Sequence, residues 1–543
     1  MDIDRGPDEK QKLRKLSGKM KKNGLFGCAL KEIAYICGVI VSELEFQIRQ
    51  RFRFEPTCEQ ARAIGVFCQF VSSRDERSVM LMRGSAGTGK TSLAGAFVRS
   101  LVELQMKVVL LAPTGRAAKV FSLNSGQPAY TIHRKIYRQK VFTGDMSGFS
   151  INANLHSDTL FIVDEASMIS TGTSFIEQAS FGSGNLLDDL VQFVSEGKNC
   201  RLVLIGDKAQ LPPVGEEESP ALMSGVLQGY GLRVYESDLS EVLRQSQESG
   251  ILWNATKIRQ LLAGDGEYFP TVLPKIRFQG FPDIHVVPGN ELIEQLNSSY
   301  SRVGIDETIV ITRSNKRANI YNLGIRNTIL DREEALNRGD QLMVVKNNYY
   351  WSDNREVISD KSYGGQETHH SSLITHHSSL PFIANGDRCE VQRVRNIHEL
   401  YGFHFADATL VFPDYDNYEM ETIVLLDTLT AEAPALTREQ SDQLFQKVLE
   451  DYADIPLKAD RMKAVRTDRH YNALQIKYAY AVTCHKAQGG QWAHVYIDQG
   501  YMSDDMLTPD YIHWLYTAFT RATGQLYLVN WPSTQISEIL TNK

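Results

Sequence analysis

The ten residues RGSAGTGKTS, 83–92, carry the frame GxxxxGK[ST] from Gly84 to Thr91, with an apolar run before it and a helical SLAGAFVRSLVEL after it. Glycines at this spacing let the backbone N–H groups of Gly84, Ser85, Ala86, Gly87, Thr88 and Gly89 wrap a phosphate chain. The helix opening at Lys90, Thr91 and Ser92 adds a favourable dipole. Lys90 is expected to neutralise the β- and γ-phosphate oxygens, and the Thr91 hydroxyl to bind Mg²⁺. The substrate this chemistry implies is ATP with magnesium. What its hydrolysis drives must be read from the rest of the chain.

A magnesium carboxylate should follow a buried strand, and LFIVDEAS supplies Asp164 for the metal shell with Glu165 to activate the attacking water. Further on, GDKAQLPPVG ends another apolar run and sets Gln210 where an amide could sense the γ-phosphate. Arg244 in LSEVLRQ and Arg521 in LYTAFTRAT are candidates for neutralising transition-state charge.

These residues need strands to hold them. The runs SVMLMR, VVLLA, LFIVDE and RLVLIGD read as buried strands ending in polar or glycine-rich loops, the arrangement of a parallel α/β sheet with ligands at its strand C-termini. The rhythm returns in TIVITRSN, KYAYAVT, HVYIDQG and QLYLVNW, which predicts a second α/β core. Between them the texture changes to short alternating runs with turn residues, predicting a small β-rich insertion over residues 385–470 that ends in a helical REQSDQLFQKVLEDY. RKIYRQKVFTGDMSGFSINANL, 134–155, predicts a projecting β-hairpin. The expected division is an N-terminal extension 1–50, a first core 51–240, a second core in two parts, 241–384 and 471–543, and the insertion between those parts.

With 543 residues, 42% apolar and 23% charged, the chain suits two to four soluble domains, and its net charge of −7 leaves room for a local basic groove but not a uniformly basic coat. Seven scattered cysteines without a CxxC pair fit free thiols in a reducing, cytoplasmic setting. The apolar IAYICGVIVS is too short to span a bilayer, and the basic N-terminus reads as an accessory helix pair or an extension outside the main fold. The tandem THHSSL repeat at 368–380, in a Ser-rich setting flanked by Gly364 and Gly365, reads as a loop.

In order along residues 54–531, FEPTCEQARAI, GSAGTGKTS, LLAPTGRAAK, YTIHRKIY, FIVDEAS, GDKAQLPPVG, LSEVLRQ, YAVTCHKAQGGQW and LYTAFTRA together resemble the superfamily 1 helicases of the RecD-like, Dda-like, 5′-to-3′ class. The resemblance implies two RecA-like cores, a strand-separating pin at the hairpin and an SH3-like fold for the β insertion. It implies that Gln60 contacts the adenine, that Gly489 approaches the nucleotide, and that Arg244 and Arg521 reach the γ-phosphate across the cleft. It places Pro113, Thr114, Arg116, His133, Thr483, His485 and Lys486 against a DNA backbone, with single strands and single-strand/duplex junctions as partners and repair or recombination as the setting. Hydroxyls, imidazoles and cations grip sugar-phosphate without reading bases. The competing class is a P-loop switch or remodelling ATPase whose main partner is a protein. Such a switch needs no second core with its own arginine and Thr-Cys-His-Lys loops.

Overall fold

The computed structural model describes residues 42–73, 75–139, 149–172, 182–242, 248–262, 270–348, 350–351 and 383–537. The first core is a six-stranded sheet in the order β3-β2-β6-β7-β1-β8, every neighbour parallel. Its strands are β1 (Ser78–Gly84), β2 (Lys107–Ala112), β3 (Ala129–Thr131), β6 (Thr159–Val163), β7 (Arg201–Gly206) and β8 (Arg233–Leu239). All seven residues of β1 and all five of β6 are buried, because both faces of the sheet are covered. On one face Phe67 of the helix Cys58–Ser72 stacks on Phe97 of the helix Lys90–Glu103, with ring centroids 3.9 Å apart. The helix over 42–51 joins that layer, burying Leu44 and Ile48. Part of the expected N-terminal extension is therefore built into the first core.

Two of these strands lie outside the four apolar runs. β3 is only three residues long. β8, RVYESDL, is polar because it is an edge strand, and its Glu236 and Asp238 carboxylates pair with Arg83 of β1.

The second core is a five-stranded parallel sheet, β16-β10-β17-β18-β9, made of β9 (Ile284–Val287), β10 (Thr308–Thr312), β16 (Ala481–Thr483), β17 (Trp492–Asp498) and β18 (Ala522–Val529). The β insertion is a closed barrel of β11 (Gln341–Val344), β12 (Arg388–Leu400), β13 (Phe403–Phe412), β14 (Tyr418–Leu425) and β15 (Leu474–Tyr478). It is wider than the predicted 385–470. The antiparallel β12-β13-β14 meander leaves two open edges, and β11 and β15 from the flanking segments close them. KYAYAVT is accordingly not one strand of the second core. It passes from β15 to β16 with two residues between them.

The predicted helix after the barrel strands spans Arg438–Asp451 and opens on a capping box of Thr437 and Gln440. The hairpin is present as antiparallel β4 (Tyr137–Gln139) and β5 (Phe149–Ile151), although its Arg134 and Lys135 lie on the short helix Ile132–Ile136. Its tip, the N-terminal residues 1–41, the His-repeat segment and Arg244 lie outside the described residues. Among the described residues no helix is long and apolar enough to cross a membrane, and Cys58, Cys68, Cys200, Cys389 and Cys484 are free thiols.

Candidate nucleotide site and inter-core cleft

The topology sorts the candidate residues before any side chain is considered. The glycine-rich loop follows β1, the acidic pair follows β6 and Gln210 follows β7, and these three strands are adjacent in the sheet. Pro113 and His133 follow β2 and β3, which pair at the other end of the same sheet with Ala112 opposite Thr131. Ligands in open α/β sheets lie beyond the strand C-termini, so one sheet edge offers two separate stations.

At the first station, Gly87 and Gly89 adopt φ of 78° and 79°, the left-handed region open to glycine. A Cβ on Gly84 would lie 2.8 Å from Thr88 Oγ1 and 2.9 Å from Leu239 Cβ. Lys90 folds its Nζ back onto the Gly84 and Ser85 carbonyls and stands 3.9 Å from Asp207 Oδ2. Thr91 and Ser92 open the helix behind the loop. Gln60 is buried, with its Oε1 accepting from the Thr57 N–H at 3.0 Å and its Nε2 donating to the Thr88 carbonyl at 2.8 Å. One end of that amide closes the capping box of its own helix and the other braces the loop, and the expected adenine contact would have to exchange one of them.

Asp164 is buried and accepts the Glu165 N–H at 2.9 Å. Burial first, then the Glu165 charge, holds its carboxyl well above the usual range. A buried carboxyl in that condition fits a divalent cation, which would restore the charged form. Glu165 sits at φ 53°, ψ 38°, a left-handed conformation that costs a non-glycine residue about 1–3 kcal/mol and is concentrated at functional sites. Gln210 is buried between the two cores. With its amide nitrogen toward Glu165 Oε2 at 3.3 Å, its oxygen accepts from Arg521 Nη2 at 3.2 Å. Arg521 is 2% exposed, and its other donors reach the carbonyls of Thr517 and Gly490 and the Thr520 hydroxyl. The acid of one core and the arginine of the other are joined through a single amide.

The segment Asp207–Leu211 is held along its length by the second core. Asp207 accepts from the Tyr516 hydroxyl at 2.6 Å, the Ala209 carbonyl lies 2.9 Å from His513 Nδ1, the Leu211 N–H donates to Thr517 Oγ1 at 2.8 Å, and the Leu211 carbonyl accepts from Gln488 Nε2 at 2.7 Å. His513, Tyr516 and Thr517 share one face of the helix Pro509–Phe519, following the three- and four-residue spacing of an α-helix. A cavity of about 860 Å³ opens beside these contacts, lined by Gly84, Ser85 and Asp207 from the first core and by Arg259, Asp510 and His513 from the second.

Of the residues expected at DNA, Thr114 caps the helix Gly115–Ser125 by accepting the Ala117 N–H at 3.2 Å. Arg116 crosses to the second core, donating to the Gln491 carbonyl with its guanidinium 4.4 Å from the Trp492 ring centre. Gly489 lies against that same helix. At φ 71°, a Cβ there would sit 3.0 Å from Thr114 Oγ1, so in this state its nearest neighbours belong to the first core's second station. His133 is half-buried beside Tyr137, and burial lowers its imidazole to about 4, so it is neutral at physiological pH. Thr483 and Lys486 line a narrow crevice with Asn315, Asn322, Met343 and Lys477, while His485 of the same loop is exposed. Burial, with the Lys477 charge adding to it, brings Lys486 down to about 8.

Sequence reasoning passed over Asp207 and Tyr516, which make the closest contacts between loop and second core. Both lie inside blocks already singled out, GDKAQLPPVG and LYTAFTRA, and a carboxylate directly after a strand beside a triphosphate loop was the available signal.

The fold and site define a P-loop nucleotide hydrolase with two cores, in which the candidate acid of one core and the candidate arginine of the other meet at Gln210. Residues 57–269 match the AAA domain family, and residues 478–529 match the UvrD-like helicase C-terminal domain. The chain is 21% identical over 486 residues to a protein of Acanthamoeba polyphaga mimivirus, covering 84% of this chain and 96% of that one. It is 30% identical over 142 residues to the ATP-dependent RecD2 DNA helicase of Deinococcus radiodurans, covering 25% of this chain and 16% of the relative. The ATP-dependent DNA helicase Dda of Enterobacteria phage T4 is 28% identical over 189 residues, 34% of this chain and 39% of its own length. A crystal structure of a Bacteroides Pif1 helicase bound to single-stranded DNA aligns over 90% of this chain and 95% of that one, at 15% identity and a TM-score of 0.41. Over these segments the chain is similar to ATP-dependent DNA helicases of the RecD2 and Dda kind.

Proposed function

We propose that this chain is an ATP-driven DNA helicase that moves 5′-to-3′ along a single strand and opens single-strand/duplex junctions, in DNA repair or recombination. The observation that carries the reading is the Glu165–Gln210–Arg521 connection, because an amide spanning the two cores makes hydrolysis depend on how the cores sit together. A single-core switch has no use for it.

Lys90, now on loop carbonyls, would move to the β- and γ-phosphates, and Glu165 would take a proton from the attacking water. Thr91 and Asp164 would hold the magnesium ion, which supplies charge neutralisation on the phosphate oxygens. Arg521 would give up a carbonyl to reach the developing charge, so bond breaking at the nucleotide is coupled to closure of the cleft. Pro113, Thr114, His133, Thr483, His485 and Lys486 then grip the sugar-phosphate track, and Arg116 shifts from Gln491 and Trp492 when the cores move. Arg244 is proposed as a second arginine at the γ-phosphate, Gln60 and Gly489 as nucleotide contacts, and the β4–β5 hairpin as the strand-separating pin.

The test is ATP-dependent unwinding of matched duplexes carrying a 5′ or a 3′ single-stranded tail, with Lys90→Ala as the inactive control. Unwinding only from the 5′ tail supports the full reading. Unwinding only from the 3′ tail refutes the direction, and an ATPase indifferent to single strands refutes the motor.

A further inference from the structure

The buried Tyr516 hydroxyl lies between the phosphate loop and the second core. It accepts the Ala86 N–H at 2.8 Å and donates to Asp207 Oδ2 at 2.6 Å. The direction of both bonds is forced, because a backbone N–H can only donate, so a phenol lone pair goes to Ala86 and the single phenolic proton is left for Asp207. A group that only donates or only accepts cannot replace it.

The same Asp207 oxygen lies 3.9 Å from Lys90 Nζ, so one carboxylate faces the phosphate-binding lysine on one side and the second core on the other. Tyr516 is five residues before Arg521, on the helix that ends just ahead of it. A phosphate chain bound in the loop would draw Lys90 away from Asp207 and press on the Ala86 segment, so that both partners of the phenol would change together.

We propose that Tyr516 is a positioning residue that transmits occupancy of the phosphate loop through its helix to Arg521, which follows that helix, so that stimulation of hydrolysis by a single strand passes through its hydroxyl. The inference rests on the ATPase reading above. It differs from the Gln210 connection in location, since it starts at the loop backbone and not at the water-activating acid.

The experiment compares wild type, Tyr516→Phe and Thr517→Val, each assayed well below its own melting temperature. Thr517→Val removes another cross-core bond of the same helix, the one to the Leu211 N–H, without touching the loop. Steady-state ATPase is measured with and without a single-stranded oligothymidylate, together with the affinity for a fluorescent ADP analogue. For Tyr516→Phe the strand-stimulated kcat falls about tenfold, the loss of roughly one charge-assisted hydrogen bond in the transition state, while analogue affinity stays within about threefold. Thr517→Val retains kcat within about threefold. An unchanged kcat in Tyr516→Phe overturns the inference, as does an equal loss in both variants, which would mean that the interface matters only as a whole. A wild type without strand-stimulated ATPase would instead overturn the helicase reading.

Discussion

Replacing Gln210 by leucine keeps the side-chain volume and removes both ends of the connection between Glu165 and Arg521. The two bonds, at 3.3 and 3.2 Å, are longer than the usual 2.9–3.0 Å but each involves a charged group. At about 1–1.5 kcal/mol apiece, their loss costs about 2–3 kcal/mol. If that coupling is expressed in the transition state, kcat falls roughly 30- to 150-fold, taking 1.36 kcal/mol per decade. Binding of nucleotide is left to the loop, which Gln210 does not touch, so KM for ATP should move little. The assay is steady-state ATPase at saturating single-stranded DNA over an ATP titration, with single-turnover hydrolysis to isolate the chemical step. A raised KM with kcat intact would mean that Gln210 serves ground-state binding. A loss smaller than threefold in both would show that the cores communicate elsewhere.

Three further outcomes are expected. Glu165→Gln should abolish turnover while a fluorescent nucleotide still binds, because the phosphate cradle is intact; measurable steady-state hydrolysis would remove Glu165 as the base. Gly489→Ala forces a Cβ to 3.0 Å from Thr114 Oγ1 at φ 71°, so it should lower strand-stimulated ATPase about tenfold, a strain of about 1–2 kcal/mol at the core interface, and wild-type rates would show that the two cores do not meet there during the cycle. Lys486 titrates near 8, depressed by burial, so it is cationic below that pH and neutral above it. Single-strand affinity by fluorescence anisotropy should therefore weaken from pH 7 to 9, and Lys486→Met should bind more weakly and lose most of that slope. Lys477 in the same crevice, also near 8 but with its Nζ on the Ala431 carbonyl, accounts for the remainder.

The strands that carry chemistry were legible because they are buried on both faces and read as apolar runs. β1, β2, β6 and β7 all follow that rule, as do β10, β17 and β18. β8 was not, since an edge strand that neutralises Arg83 must be polar, and β9 was not, since IHVV is too short to show a period. The barrel's extent was hidden for another reason. YAYAV within KYAYAVT is an unbroken apolar run, and no turn residue marks the point where it changes sheets. At the site, each residue of the phosphate loop and the acidic pair could be named from spacing. The contacts of Tyr516 with Ala86 and Asp207 join residues separated by 430 and 309 positions, and only the folded arrangement of the two sheets brings them together.

The change of sheet between β15 and β16 has a mechanical meaning. The Ala479 N–H bonds the Gln341 carbonyl of the barrel, and the very next residue, Tyr480, gives its carbonyl to the Val310 N–H of the second sheet. Three residues later the chain reaches Thr483 and the Thr-Cys-His-Lys loop. A lobe hung on a long linker could swing without load, whereas this one shares a hydrogen-bonded splice with the strand that leads into that loop. A rotation of the barrel would therefore reach Lys486 with little slack, and if that loop grips a strand as proposed, the barrel is a lever on the grip.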